Sequence, residues 1–364
     1  PSAWPVMVSD ELSHKRAAMD LEKNIGQLFL IGFKGEAISS GSPIVRDIRE
    51  HNLGGVILFD RLLAEDGVAN NIRSAEQLQQ LTSDLQSEAA TPLFIAVDQE
   101  GGRVARLKPD HGFPATRSAA ALGATSNSRL TAAEAWTIAQ ALHQTGINLN
   151  LAPVVDLACN PDNPVIAALG RSFSSDPIQV IAHASAFIKA HRTQHILTCI
   201  KHFPGHGSSR NDSHRGFTDI SSTWDKSELI PYKTLIDQGL VDTIMIGHLF
   251  HRDLDPKLPA TLSKAIITDL LRCQLGYNGV VISDDLQMQA ITDHYSLEEA
   301  ACKALAAGVD LLIIGNNLIR DPEIIPRLVQ AILSSVKQGL LSRERLEQSC
   351  ARIRLLKQNL DHSC

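Results

Sequence analysis

The chain has 364 residues, is 44% hydrophobic and 20% charged, and carries a formal net charge of −6. That composition belongs to a folded globular protein and excludes a disordered chain. Its scattered Lys and Arg leave no basic face for nucleic acid or an anionic membrane, and no apolar run approaches the roughly 18 residues of a membrane span.

In chain order, short aliphatic runs recur: "IGQLFLIGF", "LGGVILF", "LFIAVD", "INLNLAPVVD", "ILTCIKH", "DTIMIGH", "GVVISDD" and "VDLLIIG". Runs this apolar throughout suit strands buried on both faces, as in a parallel sheet covered by crossover helices. Stretches with helical spacing lie between them, among them "AEQLQQLTSDLQSEAA", "VIAHASAFIKAHRTQ", "ELIPYKTLIDQG" and "LEEAACKALAAG". The alternation predicts an α/β fold, a single-domain (β/α)8 TIM-type barrel with elaborated βα loops, over residues 21–364 with C-terminal helices and an N-terminal extension at 1–20. An open doubly wound sheet is the structural alternative. The six cysteines form no CxxC pair and predict neither a zinc knuckle nor a disulfide framework. Together with the lack of an apolar leader they fit a cytoplasmic protein; a secreted or periplasmic one follows instead if an N-terminal signal has been removed.

Several runs end in ionisable groups: Asp98, Asp156, Lys201 with His202, His248, and Asp284 with Asp285. In a barrel all strand C-termini open onto one face, so these side chains converge on one pocket. A single Asp at a strand end is as well explained as a helix cap, and Asp285 is the best case for that bland reading.

The segment "KHFPGHGSSRNDSH" (201–214) concentrates histidines. His202 and His206 are four apart, but Pro204 and Gly205 between them forbid the helix that would give this spacing meaning for zinc. A metal would have to gather His202, His206, Asp212, His214 and His248 from separate loops; the sequence shows no such ligand pattern, so the expectation is no metal and no cofactor. In "DSH", Asp212 can accept an N–H from His214, fix its tautomer and make it a proton donor and acceptor near neutral pH. Gly205, Gly207 and Gly216 read as a mobile loop able to close over a ligand.

"KHFPGHG" followed by "DSH", with "DQEGGRV", "GRSF" and "SDDLQM" in order, resembles the family 3 glycoside hydrolases, specifically the compact β-N-acetylglucosaminidase branch. The resemblance runs from about Ile25 to the C-terminal helices. It implies a retaining exo-β-N-acetylglucosaminidase acting through a glycosyl-aspartate on carbohydrates with terminal β-linked N-acetylglucosamine, peptidoglycan fragments among them. Asp284 falls on the nucleophile, His214 on the acid/base and Asp212 on its orienting partner. Asp98, Arg106, Arg171, Lys201, His202 and His248 fall on sugar-binding or pocket-lining positions. The family's larger β-glucosidases draw an acid/base carboxylate from a second domain for which this length leaves no room. The competing readings are a phosphorylase of the same family, a metal-dependent barrel hydrolase, and a non-catalytic sugar-binding protein.

Overall fold

The computed structural model describes residues 21–212 and 216–360. Eight strands form the barrel: β1 Phe29–Gly32, β2 Gly55–Ile57, β3 Phe94–Val97, β4 Leu149–Asn150, β5 Leu197–Phe203, β6 Thr243–Ile246, β7 Val280–Ser283 and β8 Leu312–Ile314. Each of the eight apolar runs contains one. Every strand from β1 to β6 pairs in parallel with its successor, and β8 returns to pair with β1. A bridge between Ile282 and Leu311, with the Ser283 N–H donating to the Leu311 carbonyl at 2.9 Å, joins β7 to β8 and completes the circle. The architecture is a (β/α)8 barrel, not an open sheet.

One helix covers each crossover: α1 Pro43–His51, α2 Ala75–Ser87, α3 Ser128–Gln144, α4 Pro177–Arg192, α5 Ile230–Asp237, α6 Ala265–Gln274 (a π-helix) and α7 Leu297–Ala307. Helices α8 Ile324–Lys337 and α9 Arg343–Lys357 follow β8. Local chemistry sets their starts. Ser74, Asp176, Ser296 and Ser342 each accept a backbone N–H from the first turn, and Pro43 and Pro177 occupy the first helical position, where no N–H is needed. The strands are buried along their length, and each fully buried Leu, Ile or Phe contributes roughly 1.5–3 kcal/mol. Helix α9 closes the other end by packing against β7 and the turn before β1. Among the described residues no helix is long and apolar enough to cross a membrane.

The polar content sits at the strands' C-terminal ends. The βα loops there are elaborated: residues 61–69 fold as a small hairpin, and the loop between β4 and α4 runs from Leu151 to Asp176.

Candidate active site

A cavity of about 260 Å3 opens at the C-terminal mouth, near the lower end of the ~300–1,000 Å3 usual for ligand pockets. Its floor is the top layer of the barrel core, including Ile57, Leu151, Met245 and Ile313, and its rim carries Leu63, Leu169, Met288 and Leu318. Asp98, Arg106, Arg171, Lys201, His202, Asp212 and Asp284 all line it. His214 lies outside the described residues.

Asp284 follows the last residue of β7. Its N–H donates to the Ile246 carbonyl at 3.0 Å, extending the ladder one step and bringing its carboxylate out at the strand's end. Oδ1 accepts the Asp285 N–H at 2.8 Å. Asp285 turns the chain instead: one carboxylate oxygen accepts the N–H groups of Gln287 and Gly315, each at 3.0 Å. The turn is tight enough that a Cβ on Gly315 would stand 2.3 Å from the Asp285 carboxylate, so only glycine fits there.

On the opposite wall, strand ends β3 and β5 bring together an alternating set of charges. Lys201 Nζ donates to Asp98 Oδ1 at 2.7 Å and lies 2.8 Å from Glu100 Oε1. Arg171 grips Glu100 with its fork, Nε to Oε2 and Nη2 to Oε1, both at 2.8 Å. Arg106 approaches Asp98 at 3.7 Å with its guanidinium over the Phe59 ring. Burial on its own would raise the Glu100 carboxyl, but Arg171 and Lys201 outweigh it and hold Glu100 well below the usual carboxylate range. Burial likewise would strip the proton from Lys201, only 2% exposed, yet Asp98 and Glu100 raise its affinity for that proton. The cavity wall is therefore ionic and pre-formed.

One expectation changes and one is qualified by its partners. Arg171 lines the cavity as expected, but its fork is on Glu100 and its Nη1 donates to the Val165 carbonyl at 3.3 Å, so most of its donor capacity belongs to the wall. His248, read as lining the pocket, stands behind it: Nε2 donates to the Asp285 carbonyl at 2.8 Å and Nδ1 meets Thr261 Oγ1 at 2.7 Å. Its imidazole braces the turn that carries Asp284, because β6 ends two residues earlier and the chain folds back beneath the mouth.

The glycines also do other work than mobility. A Cβ on Gly207 would come within 1.7 Å of the Leu157 carbonyl, so Gly207 marks close packing. Residues 202–209 are pinned throughout: Asn163 Nδ2 donates to the His206 carbonyl at 2.7 Å, Trp224 Nε1 to the Pro204 carbonyl at 3.0 Å, and Ser209 Oγ meets His206 Nδ1 at 2.6 Å. Burial pushes the His206 imidazole down to about 4, so it is neutral and structural. Downstream, Thr218–Asp219 pairs with Leu249–Phe250. Asp212 thus sits on a short span between two fixed ends. Among the described residues, no three His, Cys, Asp or Glu side chains are grouped to hold a metal ion.

Glu100 escaped the sequence reading. Its partners are 71 and 101 residues away, although its position two residues after Asp98, on the same side of an extended segment, was a usable signal.

Comparison with known proteins identifies relatives of the barrel as a whole. The sequence model of the glycosyl hydrolase family 3 N-terminal domain matches residues 20–356. Beta-hexosaminidase A of Pseudoalteromonas piscicida is 35% identical over 340 residues, covering 87% of this chain and 55% of that protein. A beta-hexosaminidase of Tolumonas auensis is 38% identical over 278 residues, covering 75% and 78%. The structure of a glycoside hydrolase family 3 beta-N-acetylglucosaminidase from Paenibacillus sp. superposes with a TM-score of 0.86 at 34% identity, covering 94% of this chain and 63% of that one. The chain thus spans little more than half the length of two of these relatives.

Proposed function

Because this chain belongs to glycosyl hydrolase family 3, we propose that it removes terminal β-linked N-acetylglucosamine from carbohydrates, peptidoglycan fragments among them, with retention of configuration. The observation that carries the reading is the small cavity at the barrel mouth, where Asp284 stands at one strand end and an ionic wall of Asp98, Arg106 and Lys201 at others. A floor of apolar side chains beneath charged hydrogen-bonding groups suits a pyranose, which has an apolar face and an equatorial belt of hydroxyls. The cavity's size favours one terminal sugar, hence exo action.

In the proposed first step the Asp284 carboxylate attacks the anomeric carbon and forms a glycosyl ester, while the bond to the leaving oxygen breaks and His214 supplies its proton. In the second, His214 takes a proton from water, the water oxygen bonds to the anomeric carbon, and the ester releases Asp284. Asp212 orients His214. Asp98 accepts from sugar hydroxyls, and Arg106 and Lys201 donate to them.

The test is a panel of nitrophenyl β-glycosides. Release from the N-acetylglucosaminide well above that from the glucoside supports the reading; preference for the glucoside, or no release from any, contradicts it. Sugar 1-phosphate formed only when phosphate is supplied would reassign the chain as a phosphorylase.

A further inference from the structure

The mouth contains a second Asp–His pair that the reaction scheme leaves unused. Asp156 is 1% exposed, and its carboxylate makes three contacts with the Lys201–His206 turn. Oδ1 accepts the backbone N–H of His202 at 3.1 Å and of His206 at 2.8 Å, while Oδ2 meets His202 Nδ1 at 2.7 Å. The other ring nitrogen, Nε2, lies 3.3 Å from Arg171 Nη2. Arginine only donates, so Nε2 facing it must accept, and the single ring proton then sits on Nδ1, pointing at Asp156. Arg171 in turn is fixed by Glu100 and cannot turn away to relieve a donor facing a donor.

We propose that Asp156 is a positioning residue that locks His202 as the neutral Nδ1–H tautomer, so that its one Nε2 lone pair accepts from Arg171 and holds the Arg171–Glu100 pair in place behind the sugar site. The inference rests on the reading of the cavity as a sugar site. It adds a division of labour between two Asp–His pairs: Asp212 with His214 for proton transfer, Asp156 with His202 for holding the wall that faces the sugar. It also assigns the wall its balance. Arg171 only donates, and with His202 accepting at Nε2 its Nη2 has an acceptor on each side, Glu100 Oε1 and the imidazole, so the guanidinium is held from two directions.

The variant Asp156→Asn tests this sharply. Two backbone N–H groups converge where Oδ1 stands, so the amide must put its oxygen there and its NH2 against His202 Nδ1. The ring is then forced to accept at Nδ1 and to carry its proton on Nε2. In the full-length protein, 15N spectra of the His202 ring, assigned by loss of its signals in His202→Gln, should show Nδ1 protonated and Nε2 bare in the wild type, and the reverse in Asp156→Asn. With an activated nitrophenyl glycoside, KM should rise about tenfold, the scale of one lost hydrogen bond, because an Nε2–H facing Arg171 pushes the guanidinium and its Glu100 partner out of place, while kcat changes little. A wild-type His202 that is protonated on Nε2, singly or doubly, overturns the proposal even if the variant does not fold. So does a folded Asp156→Asn that keeps the Nδ1–H tautomer, or one that switches tautomer with KM unchanged. Because the tautomer is read without substrate, a wild type showing Nδ1–H but hydrolysing no glycoside would sink the sugar reading and leave the positioning role standing.

Discussion

Two buried lysines sit at opposite ends of the barrel. Lys201, at the mouth, is held between Asp98 and Glu100 and keeps its proton more tightly than an exposed lysine despite burial. Lys357, on α9 at the base, donates to Gln27 Oε1 and the Gly54 carbonyl, both at 2.8 Å, and lies over the Phe94 ring. Neutral oxygens do not repay burial as carboxylates do, and its pKa falls to about 7. The base has its own ion cluster, but a closed one: Asp310 accepts from Arg272 at 2.6 Å, from Arg345 and Ser349 at 2.8 Å each, and from the Val281 N–H at 3.0 Å, tying α9 to β7. Similar residue types at similar burial thus do different jobs. At the base both Asp310 oxygens and the Lys357 ammonium are spent on the protein; at the mouth the charges are fixed by one another and still face a cavity.

The sharpest break between the two ends should come from their aspartates. Asp284→Ala should lower turnover by a factor on the order of 10⁴ or more on every glycoside with little change in Tm. Asp310→Ala should cost about 3–5 kcal/mol of stability, because it strands buried arginines, and denaturant titration alongside steady-state rates separates the two. Substantial residual turnover in Asp284→Ala would move the nucleophile elsewhere.

His214→Ala tests whether proton transfer belongs to the mouth. With poor leaving groups the rate should fall by about 10²–10⁴-fold, and with nitrophenyl leaving groups far less, since they depart with little protonation. Equal losses on both would contradict the role. Lys201→Met should do both kinds of damage: KM rises, and stability drops as Asp98 and Glu100 lose their shared partner, by a few kcal/mol.

The smallest effect is expected at Lys357. Its folded-state pKa, about 7, lies below the ordinary lysine value of 10.5. Between those values the unfolded chain holds a proton that the folded one has released. Stability from this group is therefore complete above 10.5 and is lost as pH falls toward 7. Lys357→Met should flatten the slope of unfolding free energy against pH in that window and leave kcat and KM alone. An unchanged slope would mean that Lys357 stays charged in the fold.

The barrel was legible because parallel strands buried on both faces must be apolar without interruption, and each such run contains a strand. The runs overstated length: "INLNLAPVVD" contains only Leu149–Asn150 as continuous strand, since Pro153 cannot donate to a ladder, and beyond Pro153 pairing with β5 continues only through the Val154–Lys201 bridge and the Val155 N–H to the Lys201 carbonyl at 2.9 Å. Converging strand ends were legible for the same topological reason, and Asp98, Lys201, His202 and Asp284 do meet in one cavity. Pairings were not. Glu100 with Arg171, Asp156 with His202, and His248 with the Asp285 carbonyl join residues tens of positions apart, and nothing in spacing reveals which side chain a buried guanidinium or imidazole will satisfy. The π-helix Ala265–Gln274 was equally hidden, because its apolar spacing reads as an ordinary helix.

The central claim is that Asp284 bonds covalently to sugar. Incubating the protein with a slow fluorinated N-acetylglucosamine analogue and mapping the modified peptide by mass spectrometry tests it directly. The account predicts one glycosyl adduct, on Asp284, that decays as activity returns; an adduct on Asp285 or any other residue, or steady turnover of the analogue with no adduct at any time, would contradict it.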